Sequence, residues 1–229
     1  MSRENVHTLG DLRQMQSLSL ESKIRMTKQR IQAWYEYFDG GVYVSFSGGK
    51  DSTVLLTLAR EVYRDIPAVF CNTGLEYPEI VQFAGQQSDI EIVRPEMNFA
   101  DVIDTYGYPI ITKETAKTIN EAKRGLKEGN GKCDFAIKKM RGEVLNKKGE
   151  KSQFNCDKWA YVLDAPFEVS HKCCIVMKEK PLGKYEKRTR RKPILGTMAA
   201  ESRNRSMRWQ QYGCNAWNAK KQISTPLAF

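Results

Sequence analysis

A short apolar run, Val42-Tyr43-Val44-Ser45-Phe46, breaks into Ser47-Gly48-Gly49-Lys50-Asp51-Ser52-Thr53 and resumes as Val54-Leu55-Leu56-Thr57-Leu58-Ala59. The first run predicts a buried strand and the last a helix packed against a sheet. Two glycines, a lysine and two hydroxyls are thereby set at the start of a helix. Unpaired N–H groups of a first helical turn point outward, glycine permits close approach, and Lys50 adds positive charge, so the join suits a phosphate-bearing anion. Its spacing is not that of the Walker loop, which places four residues between its first glycine and Gly-Lys-Ser/Thr.

Taken in order, the chain alternates helical and strand patterns. Leu20, Ile24, Thr27, Ile31, Trp34 and Phe38 recur at three- and four-residue spacing, predicting an amphipathic helix over 15–38 that Asp39-Gly40-Gly41 ends, after a loose polar start at 1–14. Ala68–Cys71 and Asp89–Val93 read as further strands, Phe99 to Tyr106 and Thr112 to Arg124 as helices, and Pro193–Gly196 as another strand before a helix opening at Glu201-Ser202. Strands separated by helices argue for a three-layer α/β sandwich with a mostly parallel central sheet. From about 125 to 158 glycines and charges interrupt every apolar cluster, which predicts a basic, partly helical and partly mobile insertion in a single domain spanning 1–229.

With 37 lysines and arginines against 27 acidic residues, the net charge of +10 points to an anionic substrate or polyanionic partner. The basic segments either bind nucleic acid or a partner protein, or are simply solvated. No apolar run is long enough for a bilayer and the amino terminus lacks a signal-like stretch, so the expectation is a cytoplasmic protein without a membrane partner. Six cysteines, Cys173 and Cys174 adjacent, are too few for a disulfide scaffold and raise metal or cluster ligation.

Ser47-Gly48-Gly49-Lys50-Asp51-Ser52 resembles the PP-loop of the adenine-nucleotide alpha-hydrolase superfamily, which includes phosphoadenosine-phosphosulfate reductases, the small subunit of ATP sulfurylase, and thiolation enzymes for tRNA and DNA. Asn72-Thr73-Gly74-Leu75-Glu76-Tyr77-Pro78-Glu79 resembles the Asp-Thr-Gly…Phe-Pro-Glu signature of the sulfonucleotide branch, with Asn72 in the aspartate's place. Arg94-Pro95 and Gly107-Tyr108-Pro109 extend the likeness. Gly196-Thr197-Met198-Ala199-Ala200-Glu201-Ser202…Arg205 resembles a sulfonucleotide-binding stretch in which Ser202 and Arg205 match and Met198 replaces an arginine.

The resemblance implies a Rossmann-like PP-loop fold that takes ATP and Mg²⁺ and cleaves ATP between its α and β phosphates, in sulfur metabolism or nucleic-acid thiolation. Lys50, Asp51 and Arg205 would be catalytic; Ser45, Ser47, Gly48, Gly49, Ser52, Asn72, Thr73, Gly74, Glu79 and Ser202 would join them in binding the nucleotide. A phosphoadenylyl- or adenylyl-sulfate reductase is the runner-up, although the Glu-Cys-Gly-x-His motif of reductases is missing. A non-catalytic nucleotide-binding subunit, paired with a sulfur-donor protein or complementary subunit, is the third reading.

Cys-Cys followed by Lys180-Pro181-Leu182 resembles the cluster-binding pair of iron-sulfur members, in which a later Cys-x-x-Cys completes a 4Fe-4S site. Here Cys173, Cys174 and Cys214 would be the ligands, an incomplete set; buried structural thiols or a labile zinc are the alternative. The chain stops where the family continues, so its carboxyl end looks truncated relative to that family.

Overall fold

The computed structural model describes residues 6–129, 131 and 133–229. Its strands are β1 (Val42–Phe46), β2 (Ala68–Cys71), β3 (Ile90–Val93) and β4 (Lys192–Leu195). They lie in the order β3-β2-β1-β4, and all three pairings are parallel, with Ser45 opposite both Val69 and Leu195. The helices are α1 (Leu9–Gln16), α2 (Leu20–Tyr37), α3 (Lys50–Val62), α4 (Pro78–Gly85), α5 (Phe99–Tyr106), α6 (Lys113–Glu128), α7 (Asp134–Arg141), α8 (Lys180–Thr189) and α9 (Arg203–Tyr212). The expected α/β architecture with a parallel central sheet is what the chain adopts.

The chain divides into two compact units: residues up to Arg94 together with Pro181–Phe229, and Pro95–Lys180. The first contains the sheet. Successive residues of a strand point to opposite faces, and β1 shows it. Val42, Val44 and Phe46 pack with Ile31 and Trp34 of α2, Leu55 and Ala59 of α3 and Ala84 of α4, whereas Tyr43 turns to the other face and joins Val69 and Tyr185 of α8. Burial of the Tyr43 ring beside Glu186, which accepts its hydroxyl proton at 2.9 Å, pushes the phenol's pKa upward. Helices on both faces give the three layers.

Several element boundaries differ from the sequence expectation. The helix expected at 15–38 begins instead at Leu20, capped by Ser19, and a separate α1 precedes it. Thr8 and Asp11 form a reciprocal capping box there, which stabilises a helix that buries little beyond Leu12. Of the start read as loose, residues 1–5 lie outside the described residues, and 9–16 are helical.

The second unit holds the 125–158 segment, and it is more regular than expected. α6 runs through Arg124 to Glu128, and Ala116, Ile119 and Ala122 on its inner face pack against Ala136 and Met140 of α7 and Val162. Gly125 makes that approach close: a Cβ there would sit 2.6 Å from the Cys133 Cβ. Gly129 and Gly142 are left-handed C-caps, which only a residue without a Cβ adopts cheaply. The glycines that read as interruptions thus end and join helices. Three basic side chains here are paired, Lys127 with Glu168, Lys139 with Glu114 and Lys151 with Asp157.

Candidate nucleotide site

In the first unit β1 leads through α3 to β2 on one side, while β4 lies on its other side. Open parallel sheets bind ligands beyond the carboxyl ends of their strands at such a reversal. A cavity of about 290 Å³ is found here, between the exits of β1 and β4. Ser45, Ser47, Gly49, Lys50, Asp51 and Ser52 form one wall; Leu195, Gly196, Thr197, Glu201 and Arg205 form the other.

The first wall is held by Ser52. Its buried hydroxyl donates to the Gly49 carbonyl at 2.9 Å, accepts from the Ser47 N–H at 3.2 Å and lies 3.1 Å from the Ser47 hydroxyl. This clamp folds the turn back on the start of α3. Gly49 is the N-cap, and no side chain caps the helix there. The first turn of α3 therefore faces the cavity with its backbone donors and partial positive charge. Gly48 has φ +74°, and a Cβ on it would meet Ile80 Cγ2 at 2.6 Å, so α4 buttresses the turn from behind.

The second wall depends on Gly196. A Cβ at that position would stand 2.9 Å from the Asp51 carbonyl oxygen and 3.1 Å from the Ser52 nitrogen. Glycine thus lets the exit of β4 lie directly on the first turn of α3. Ser202 caps α9 by accepting the Arg205 N–H at 3.3 Å, and the Arg205 guanidinium pairs with Glu201. Glu201 also accepts the Met198 N–H at 2.6 Å. The guanidinium is consequently presented to the cavity by a fixed carboxylate, and Ser202 serves as a cap behind it.

Of the expected nucleotide-binding residues, Ser45, Ser47, Gly49, Lys50, Asp51, Ser52 and Arg205 come together. Asn72, Thr73, Gly74 and Glu79 do not line this cavity; they follow β2, on the side of β1 away from β4. There the Asn72 side-chain oxygen accepts from the Gly74 N–H at 2.9 Å, and Thr73 donates through its N–H and hydroxyl to Glu76 at 2.8 Å. This turn delivers α4, and so Ile80, to the back of Gly48. Sequence reading missed Gly196, Thr197, Glu201 and Ile80 as contributors; a glycine directly after a predicted strand was the available signal for Gly196.

The cysteine reading fares differently. Cys173 and Cys174 belong to the second unit and Cys214 to the first. Among the described residues no group of three or more histidine, cysteine, aspartate or glutamate side chains could hold a metal ion. These residues do not fit a four-iron cluster, which needs four converging thiolates. Cys214 is buried and accepts the Trp209 indole N–H at 3.3 Å; desolvation pushes its thiol pKa up. Cys174 is exposed. Native alkylation at mildly alkaline pH should therefore label Cys174 at least about tenfold faster than Cys214. Peptide mapping by mass spectrometry measures both, and equal rates would show that the Cys214 pocket opens readily.

Residues 41–130 match the family model of the phosphoadenosine phosphosulfate reductase domain. An uncharacterized protein of Methanocaldococcus jannaschii is 31% identical over 108 residues, covering 39% of this chain and 26% of the relative. A second uncharacterized protein of the same organism is 39% identical over 84 residues, covering 34% of this chain and 18% of its own length. The chain thus spans about a quarter or less of the length of these relatives.

Proposed function

Starting from this likeness to the phosphoadenosine phosphosulfate reductase domain, we propose that the protein is a PP-loop enzyme that binds ATP and cleaves it between the α and β phosphates, in sulfur metabolism or nucleic-acid thiolation. One observation carries the reading: Lys50, Arg205 and the uncapped start of α3 converge on a single cavity at the sheet's reversal point. An acceptor oxygen attacks the α phosphorus; its bond forms as the bond to the bridging oxygen breaks, and pyrophosphate leaves with the electron pair. Lys50, Arg205 and the first-turn N–H groups stabilise the charge that develops on those oxygens, while Ser47 and Ser52 keep the turn in shape. Asp51 offers hard carboxylate oxygens suited to Mg²⁺, which would supply Lewis-acid neutralisation of the phosphates when bound. The adenylated oxygen is then a leaving group for sulfur.

Sulfonucleotide reductases use a cysteine late in the chain as an accessible nucleophilic thiolate, and Cys214, the cysteine that follows the Cys173-Cys174 pair here, is buried with a raised pKa. Labelled ATP with Mg²⁺, with and without candidate acceptors, should yield pyrophosphate and AMP or an adenylate. Turnover of phosphoadenylyl sulfate with thioredoxin and no product from ATP would replace this reading with the reductase. A copurifying partner, with no activity from the isolated chain, would replace it with a nucleotide-binding subunit.

A further inference from the structure

A second groove, of about 630 Å³, lies at the opposite end of β4 from the nucleotide site. Lys192 lines it and Leu195 lines the other cavity, so the two are separated along the strand by about 10 Å. Lys187, Arg190, Arg191, Lys192, Lys220 and Lys221 contribute positive charge, and Glu186 is the only carboxylate among the lining residues. The Glu186 oxygen already accepts from Tyr43. Arg191 is spent on the fold, donating to the Gly40 and Val42 carbonyls at 3.2 and 3.0 Å. Lys187, Arg190, Lys220 and Lys221 are exposed and make no ion pair among the described residues.

A local explanation covers part of this charge. Cations in the last turn of α8 complement the helix dipole, which accounts for Lys187. It does not account for Lys220 and Lys221, which return to the same groove from the carboxyl-terminal segment, or for Arg190, held at φ +59° where glycine would be free of strain.

Aromatic residues adjoin the charge. Lys192 Nζ lies 5.7 Å from the centre of the Phe38 ring, which neighbours Trp217 and Tyr37; Tyr37 and Trp217 are 4.6 Å apart. Gln222 of the groove donates to the Trp217 carbonyl at 3.0 Å, tying the two features together. Tyr37 is 61% exposed.

We infer that this groove binds single-stranded nucleic acid, the cations following the phosphates and the exposed Tyr37 ring, backed by Trp217, receiving an unpaired base. Aromatic faces stack with bases that are unpaired, and a cationic groove beside them is the chemistry of strand binding without sequence preference. A duplex would use the cations but not the rings. The inference stands on residues separate from the nucleotide site and does not require ATP cleavage.

Fluorescence anisotropy with a labelled oligothymidylate of about 12 nucleotides, a duplex of equal length and vesicles rich in anionic lipid tests it. The single strand should bind tightest. The triple variant Lys187→Gln, Lys220→Gln, Lys221→Gln should weaken strand binding at least about tenfold and reduce the slope of log affinity against log salt by about two. Tyr37→Ala should cost at least about fivefold on the strand and leave the duplex unchanged. Calorimetric uptake of adenine nucleotide should persist in all variants, which separates this surface from the nucleotide site. Equal affinity for strand and duplex, preference for vesicles, or strand binding indifferent to these substitutions would overturn the inference.

Discussion

Lys50→Ala should lower ATP-dependent pyrophosphate release by about 10²–10³-fold while leaving thermal stability within about 0.5 kcal/mol of the parent. The asymmetry comes from where the residue sits. Lys50 is the first residue of α3, its side chain is exposed, and it lines the cavity without entering the apolar cluster beneath. Its loss therefore takes nothing from the core. On the proposed reading, what it removes is a charge aimed at an anion that is more concentrated in the transition state, because cleavage would place the bonding pair on pyrophosphate. Calorimetry sharpens the expectation: affinity for ATP should fall more than affinity for AMP, which lacks the β and γ phosphates. Equal losses for the two ligands would remove Lys50 from the leaving-group end of the nucleotide.

The residues behind that prediction were legible in the sequence because they are local. Strand, turn and helix from Val42 to Ala59 follow one another without a break, and only one arrangement suits an apolar run, two glycines and a second apolar run. The opposite wall was less legible since it depends on which strand lies beside β1. Nothing local in Lys192-Pro193-Ile194-Leu195 says that it pairs with β1 rather than β3, and the 94–191 stretch between the third and fourth strands conceals the neighbour relation. Asn72 to Glu79 carried a familial signature but follow the strand on the other side, so their part in the observed site is the support that Ile80 gives Gly48.

Charge was harder to place from sequence for a related reason. The 125–158 lysines are conspicuous in sequence, yet several find carboxylates in the fold, whereas Lys220 and Lys221 look unremarkable until the chain returns them beside Lys187 and Arg190. Short helices were lost where hydrophobic periodicity is thin. α1 buries only Leu12, and its identifying feature was the Thr8-x-x-Asp11 cap.

Gly196→Ala should be the most damaging single-methyl change at the candidate site. The added Cβ meets backbone, the Asp51 carbonyl at 2.9 Å and carbon at 3.0 Å, so no side-chain rotation can relieve it. Either β4 or the first turn of α3 must shift, at a cost of about 1–3 kcal/mol in unfolding free energy measured by urea denaturation. Function should suffer more than stability. The shifted pieces carry Lys50 and Ser52 on one wall and Thr197 and Arg205 on the other, and a displacement of about 1 Å in such a constellation is enough for a 10²-fold loss of rate. Gly85→Ala is the matched control: Gly85 closes α4, a Cβ there meets nothing within 4 Å, and the change should be neutral or stabilise by up to about 1 kcal/mol. If Gly196→Ala behaves like that control in both denaturation and nucleotide uptake, β4 does not press on α3, and the two walls do not form one cavity.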